Sequence, residues 1–311
     1  MKKLIGYLLL GCIALVQGAC NKLDLMTEED DVPEVVQEPT LTKQIMLDVS
    51  MGTNFMYKWA DFDKISLFVM RESEMNTDHP ENINVPATYR YGRWNLDSQI
   101  KIDDDQWKAY AYYPYTEGLQ DFRIPINPED EVTHLIGKSS LPFGFHNNNI
   151  NIELWQPTAL LTVYVRKQGN VDAKVVKSVR LYKKSGGLPV EGILDILGQK
   201  IEYTKLGDYT KTDLQYIVRA GSNADPIDFK VLPTLQKTKA LSVDSSSPTY
   251  IEIGINDGVY SAELPKTVSD WEGGKQYTLN VIYNNDVLVI ESVSIRLWQT
   301  ERLEIVPNDK D

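Results

Sequence analysis

Three histidines, His79, His134 and His146, are the residues of this 311-residue chain best suited to moving protons near neutral pH. A catalytic or metal-binding role needs partners at defined spacing. None of the three lies at ligand spacing from another histidine or from Cys20. His79 sits in the polar stretch TDHPEN and His146 precedes three asparagines, so exposed or loop-satisfied side chains account for them. Gly137-Lys138-Ser139 matches the end of a phosphate-binding loop, but Val132 stands where such a loop needs its first glycine. Leu141 stands where a nucleophile elbow built on Ser139 needs its second glycine. Asp103-Asp104-Asp105 lacks the glycine and closing glutamate of a calcium loop and reads as a charged turn. Spacing singles out no carboxylate pair for glycoside hydrolysis. No catalytic centre, metal or cofactor is expected, and the chain does not read as an enzyme.

The densest chemical feature is aromatic. Residues 107–115, WKAYAYYPY, hold five rings, a composition that suits a platform for sugars or bases. Read as a strand, Trp107, Ala109, Ala111, Tyr113 and Tyr115 share one face, and Lys108, Tyr110 and Tyr112 the other. Both faces carry apolar bulk, whereas a platform needs one face open. The pattern therefore predicts a strand covered on both sides.

The ends of the chain direct it out of the cytoplasm. Lys2 and Lys3 precede an apolar run from Leu4 to Val16, followed by Gly18, Ala19 and Cys20. Such a run is too short for a comfortable membrane span and has the layout of an export signal. The segment resembles a bacterial lipoprotein signal that leaves Cys20 as the acylated first residue, although Gln17 replaces the usual aliphatic residue. Cys12 is the alternative, with a very short apolar run before it. Residues 1–19 are read as the signal and 20–43 as an acidic tether: Asp24 to Glu38 contains seven acidic residues and no basic one. Cysteine usage agrees, since only Cys20 would remain after cleavage and no internal disulfide could form. Loss of Lys2 and Lys3 takes the net charge from −12 to −14, and no basic stripe is present, so nucleic acid is not an expected partner.

Behind these features stands a long series of short strands. Residues 44–51, 64–71, 87–96, 149–155 and 159–167 are apolar or alternating, with Asn- and Pro-rich turns between them. After the break at Gln168-Gly169-Asn170 the pattern resumes at 175–184, 192–205, 227–235, 249–256, 258–264, 276–283, 287–298 and 302–307. Asn284-Asn285-Asp286 marks a hairpin. The best helical candidate, residues 130–137, amounts to a turn or two. The expected fold is all-β, with two antiparallel β-sandwich domains in tandem, at 44–169 and 170–311.

AYAYYPY, preceded by KISLFVM and by Tyr89, Tyr91 and Trp94, resembles the fimbrillin family, the donor-strand pilus subunits and related surface lipoproteins of certain Gram-negative anaerobes. The second half agrees in order: SVRLYKK, Gly192 to Asp195 with Gly198 to Ile201, VLPTL, then Trp271, Gly274 and Tyr277 before a final hairpin ending at Trp298. The resemblance implies transthyretin-like sandwiches, an outer-membrane lipid anchor at the cell surface, and a role as a pilus tip, anchor or accessory subunit. It also implies assembly with other fimbrial subunits by β-strand addition. Residues 44–51 would be the removable first strand, with Ile45, Leu47 and Val49 on one face and Lys43 before it as a possible processing site. The family's processing follows arginine, and no arginine lies between Cys20 and this strand. Leu303 and Ile305 would lie on one face of a C-terminal pairing strand. The alternative is a non-polymerising surface lipoprotein that binds glycan through exposed aromatics such as Trp59, Trp94 or Trp155. The receptor is not identified by the sequence.

Overall fold

The computed structural model describes residues 45–298 except 53–57, 72–81, 103–105, 131, 170–172, 221–224, 235–240, 242, 257 and 285. Cys20, Lys43, His79, Asp103 to Asp105, Leu303 and Ile305 lie outside the described residues. The protein is all-β. The first eight strands are β1 (Met46–Met51), β2 (Lys64–Arg71), β3 (Val85–Arg90), β4 (Arg93–Leu96), β5 (Trp107–Tyr113), β6 (Arg123–Ile126), β7 (Leu135–Ser139) and β8 (Asn149–Trp155). They are followed by β9 (Ala159–Lys167), β10 (Lys174–Lys183), β11 (Leu188–Asp195), β12 (Lys200–Gly207), β13 (Tyr209–Lys211) and β14 (Tyr216–Val218). The last five are β15 (Ile227–Val231), β16 (Thr249–Ile255), β17 (Gly258–Glu263), β18 (Lys275–Asn284) and β19 (Val287–Leu297).

Seven strands form one sheet in the order β1-β8-β7-β5-β2-β3-β4. Period-two alternation sends its side chains to two different cores. Ile65, Leu67 and Val69 of β2 enter one core with Trp107, Ala109 and Ala111 of β5, while Phe68, Met70 and Tyr112 enter another. The second core is completed by the three-stranded sheet β12-β11-β6, through Ile124, Leu194, Ile201 and Tyr203. The aromatic run is therefore a strand covered on both faces, as its alternation predicts. The segment expected to hold a helical turn is instead extended from Leu135. Leu135 faces the first core and Ile136 the second, which only a strand permits.

The remaining strands build a sandwich, with β13-β10-β16-β17 against β15-β9-β18-β19 and β14 added to β10. Its core includes Leu161, Val163, Val179, Ile253, Trp271 and Leu279. Most pairs are antiparallel, but β1–β8 and β9–β18 are parallel. β9, which precedes residue 170, is hydrogen-bonded on both sides by strands that follow it in the chain, β15 and β18.

The turn before β18 shows why its glycines are there. Gly274 has φ +74°, a region open to glycine at little cost, and a side chain on Gly273 would stand 2.7 Å from the Pro157 carbonyl. Trp271 Nε1 donates to the Val268 carbonyl at 2.8 Å, and the Glu272 amide donates to Tyr277 Oη at 2.9 Å. The tryptophan, glycine and tyrosine thus close one turn.

Candidate functional site

The first strand is the least embedded part of the first sheet. β1 lies at its edge and pairs in parallel with β8, Leu47 opposite Ile150 and Val49 opposite Ile152. Only Val49, 3% exposed, is buried; Ile45 and Leu47 are half-buried, and Met46 is 63% exposed. The neighbouring strand turns apolar side chains into the core beside it, with Ile150, Ile152 and Leu154 of β8 buried.

Backbone direction gives this edge its character. The Met46 amide donates to the Asn148 carbonyl at 3.0 Å and the Gly52 amide to that of Leu154 at 3.1 Å, and the register between them runs without a shift. In a parallel ladder, even-numbered residues of β1 therefore turn their backbone groups toward β8, and odd-numbered residues turn theirs away. The outward carbonyl of Val49 meets two indoles. Trp59 Nε1 donates to it at 3.1 Å and Trp94 Nε1 at 3.3 Å. The two rings pack edge to face at 4.8 Å, and Tyr113 stands against Trp59 at 5.6 Å. Trp94 belongs to β4, the opposite end strand of the same sheet, so the sheet curls until its two ends meet at β1.

These contacts decide what the tryptophans can do. Trp94 is buried, Trp59 is half-buried, and Trp155 is half-buried with its Nε1 3.2 Å from Gln199 Oε1. None of the three is exposed. Among the described residues, the exposed aromatics are Phe62 (71%) and Tyr91 (89%) on neighbouring turns, both with positive φ, at 75° and 54°. The Phe62 amide donates to the Tyr89 carbonyl and the Tyr91 amide to Asp61 Oδ1, while the Arg90 guanidinium lies over the Phe62 ring at 5.6 Å. No sequence pattern announces a positive φ at a phenylalanine.

Of the histidines, His146 is exposed as expected, but His134 is buried beside Tyr112, with Nδ1 and Oη 2.8 Å apart. Burial and the Lys230 charge hold the imidazole down to about 4, and burial pushes the Tyr112 phenol up to about 12. This pair closes a core. Among the described residues, no group of three His, Cys, Asp or Glu side chains is arranged to hold a metal ion. No helix among them is long and apolar enough to cross a membrane. A cleft of about 450 Å³ lies between Asp130, Lys211, Asp228 and Trp298. Its polar groups serve the fold: Lys230 Nζ donates to the Asp130 and Val132 carbonyls, and Asp228 accepts from Thr162.

Packed, mostly antiparallel sheets with sandwich-like cores define an all-β protein with its first strand at a sheet edge. Residues 51–298 match the fimbrillin-like family, and the chain belongs to it. Its fold is similar to that of a candidate cell adhesion protein from Bacteroides ovatus, at 14% identity and TM-score 0.56, covering 82% of this chain and 98% of that one. A candidate cell adhesion protein from Bacteroides uniformis is similar at 13% identity and TM-score 0.54, with coverage of 82% and 98%. A fimbrial protein from Bacteroides vulgatus is similar at 12% identity and TM-score 0.51, with coverage of 82% and 99%. No curated protein matches the chain.

Proposed function

We propose that this chain is a cell-surface adhesion protein of fimbrial type, a tip, anchor or accessory subunit, whose precursor is held to the outer membrane by a lipid on Cys20. It joins other fimbrial subunits by β-strand addition at the place occupied here by β1. The observation that carries this reading is the edge position of β1 beside the buried apolar residues of β8. Losing such a strand leaves a row of unpaired backbone groups and an apolar groove, which favour a replacement strand. The family resemblance and the similar folds support it.

Release of the strand has a chain-connectivity requirement. A cut after Lys43 separates the tether from β1 but leaves β1 joined to the body through Gly52. A second cut is needed, and Lys58, exposed, is the first basic residue beyond β1. Arg71 is the last residue of β2 and does not serve. The test is the N-terminus of protein extracted from the cell surface, read by mass spectrometry. A lipidated start at Cys20 is the expected precursor and a start at Trp59 the expected processed form. A start at Gln44 with β1 retained would contradict strand release.

A second reading, glycan binding without polymerisation, gains support from the exposed pair Phe62 and Tyr91. Sugars stack on open ring faces, and Asp61 and Arg90 stand beside them. Glycan-array binding lost in both Phe62→Ala and Tyr91→Ala, with melting unchanged, would favour it.

A further inference from the structure

We infer that the turns carrying Phe62 and Tyr91 form, together with Arg90 and Arg93, a binding site for an acidic sugar, one that bears a carboxylate or a sulfate. The inference rests on the glycan reading of Phe62 and Tyr91 and names the sugar class, and it holds whether or not the chain joins other subunits. Both aromatic residues stand where turn geometry asks for a different residue. Arg90-Tyr91-Gly92-Arg93 joins β3 to β4 by a two-residue turn with φ +54° and +80°, whose first position favours asparagine, aspartate or glycine. Phe62 is the third residue of a turn closed by the Asp63 amide, which donates to the Ala60 carbonyl at 3.0 Å. Its φ of +75° is one that glycine or asparagine adopts more readily. A bulky side chain in this region costs stability, and rings this exposed recover little of it by packing.

The arginines add a second cost. Arg90 and Arg93 lie directly opposite each other in the β3–β4 ladder, both exposed, so two like charges share one face. Neither guanidinium meets a carboxylate among the described residues, whereas Arg123 and Arg180 are matched to Glu202 and Asp208. Such an unmatched pair is out of character in a chain of net charge −12. An anion set between the two guanidiniums removes the repulsion and takes up their paired N–H donors. The group is also braced. The Phe62 amide donates to the Tyr89 carbonyl and the Tyr89 amide to that of Asp63, both at 2.8 Å. With the Tyr91 amide on Asp61 Oδ1 at 3.1 Å, the two turns are tied into one unit. Arg90 lies over the Phe62 ring at 5.6 Å, and Tyr91, next in the chain, supplies the more open ring for a sugar to stack on. Asp61 Oδ2 is an acceptor for a sugar hydroxyl.

The test uses the chain from residue 20, carrying Cys20→Ala, on an array of one oligosaccharide in four forms: neutral, or ending in a sialic acid, a uronic acid or a sulfated galactose. At least one acidic form should bind about tenfold more tightly than the neutral one, and its identity tells carboxylate from sulfate. Arg90→Gln and Arg93→Gln should each abolish that preference, and added salt should weaken it. Tyr91→Asn and Phe62→Asn should lose binding while melting unchanged or about 2 °C higher, because asparagine relieves the turns. Neutral forms bound as well as acidic ones, with loss in both asparagine variants, overturn the acidic class and leave the glycan reading standing. No binding of any form overturns both. Acidic binding that survives both asparagine variants, or that phosphatidylglycerol vesicles compete away, overturns the sugar site in favour of a bare anion site. Lower melting in the asparagine variants assigns the rings to the fold and overturns the inference as well.

Discussion

The indole nitrogen of Trp94 lies 3.3 Å from the carbonyl oxygen of Val49, joining the two strands at opposite ends of one seven-stranded sheet. On the edge of β1 that faces away from β8, Trp94 and Trp59 together meet the carbonyl of Val49. On its other edge β1 relies on the ladder to β8.

That division of labour predicts a contrast at Asp48, whose side chain is exposed and whose amide points at β8. Asp48→Pro should cost about 2 kcal/mol or more in the pairing of β1, through a lost ladder bond and an unpaired Ile150 carbonyl. Asp48→Ala should stay within about 0.5 kcal/mol. Hydrogen exchange across β8, with thermal melting alongside, distinguishes the two.

Trp271 is fully buried and anchors the turn that delivers β18. Trp271→Ala should lower stability by about 3–5 kcal/mol, as for other large-to-small core changes. Denaturant titration checks this, and a loss below about 1 kcal/mol would mean that the core of the β9–β10–β16–β18 sandwich does not depend on the turn.

Burial of His134 gives the fold an acid-sensitive point. Its folded-state pKa, about 4, lies below the unfolded value near 6.5, so the unfolded chain binds the proton more readily between these values. Stability contributed by the neutral ring is fully present above pH 6.5 and is lost as pH falls toward 4, by about 3 kcal/mol at most. Melting measured from pH 7 to 4.5 should show a steeper decline for the native chain than for His134→Asn.

Acylation at Cys20 predicts that Cys20→Ala moves the protein from the membrane fraction to the soluble one. A single acyl chain binds only marginally, so stable anchoring implies more than one. Detergent partition of the two forms reads this directly, and membrane retention of the variant with normal signal removal would refute the anchor.

Much of the fold was legible because alternation is a local property. The two faces assigned to Trp107 through Tyr113 are the two faces that enter separate cores, and the hairpin at Asn284 to Asp286 joins β18 to β19. What stayed hidden is non-local. Nothing in the sequence places β9 beside β18 or β1 beside β8, because parallel partners lie far apart along the chain. β6 and β7 were unread: β6 spans only four residues, and both faces of β7 enter cores, which blurs alternation. At the candidate site, Ile45, Leu47 and Val49 were legible as one face of a strand. Trp59 and Trp94 were legible as large aromatics only, since their shared acceptor is set by tertiary contact.

The measurement that bears most directly on strand addition is limited trypsin digestion of the mature chain, with sizing and mass spectrometry before and after. Cuts after Lys43 and Lys58 should release residues 44–58 and turn a monomer into short oligomers that resist SDS, while Lys58→Gln should keep the chain monomeric. A native chain that is cut at both sites, with the Arg302–Leu303 bond shown intact by mass, and yet stays monomeric, or that keeps residues 45–51 packed on β8, would contradict the account.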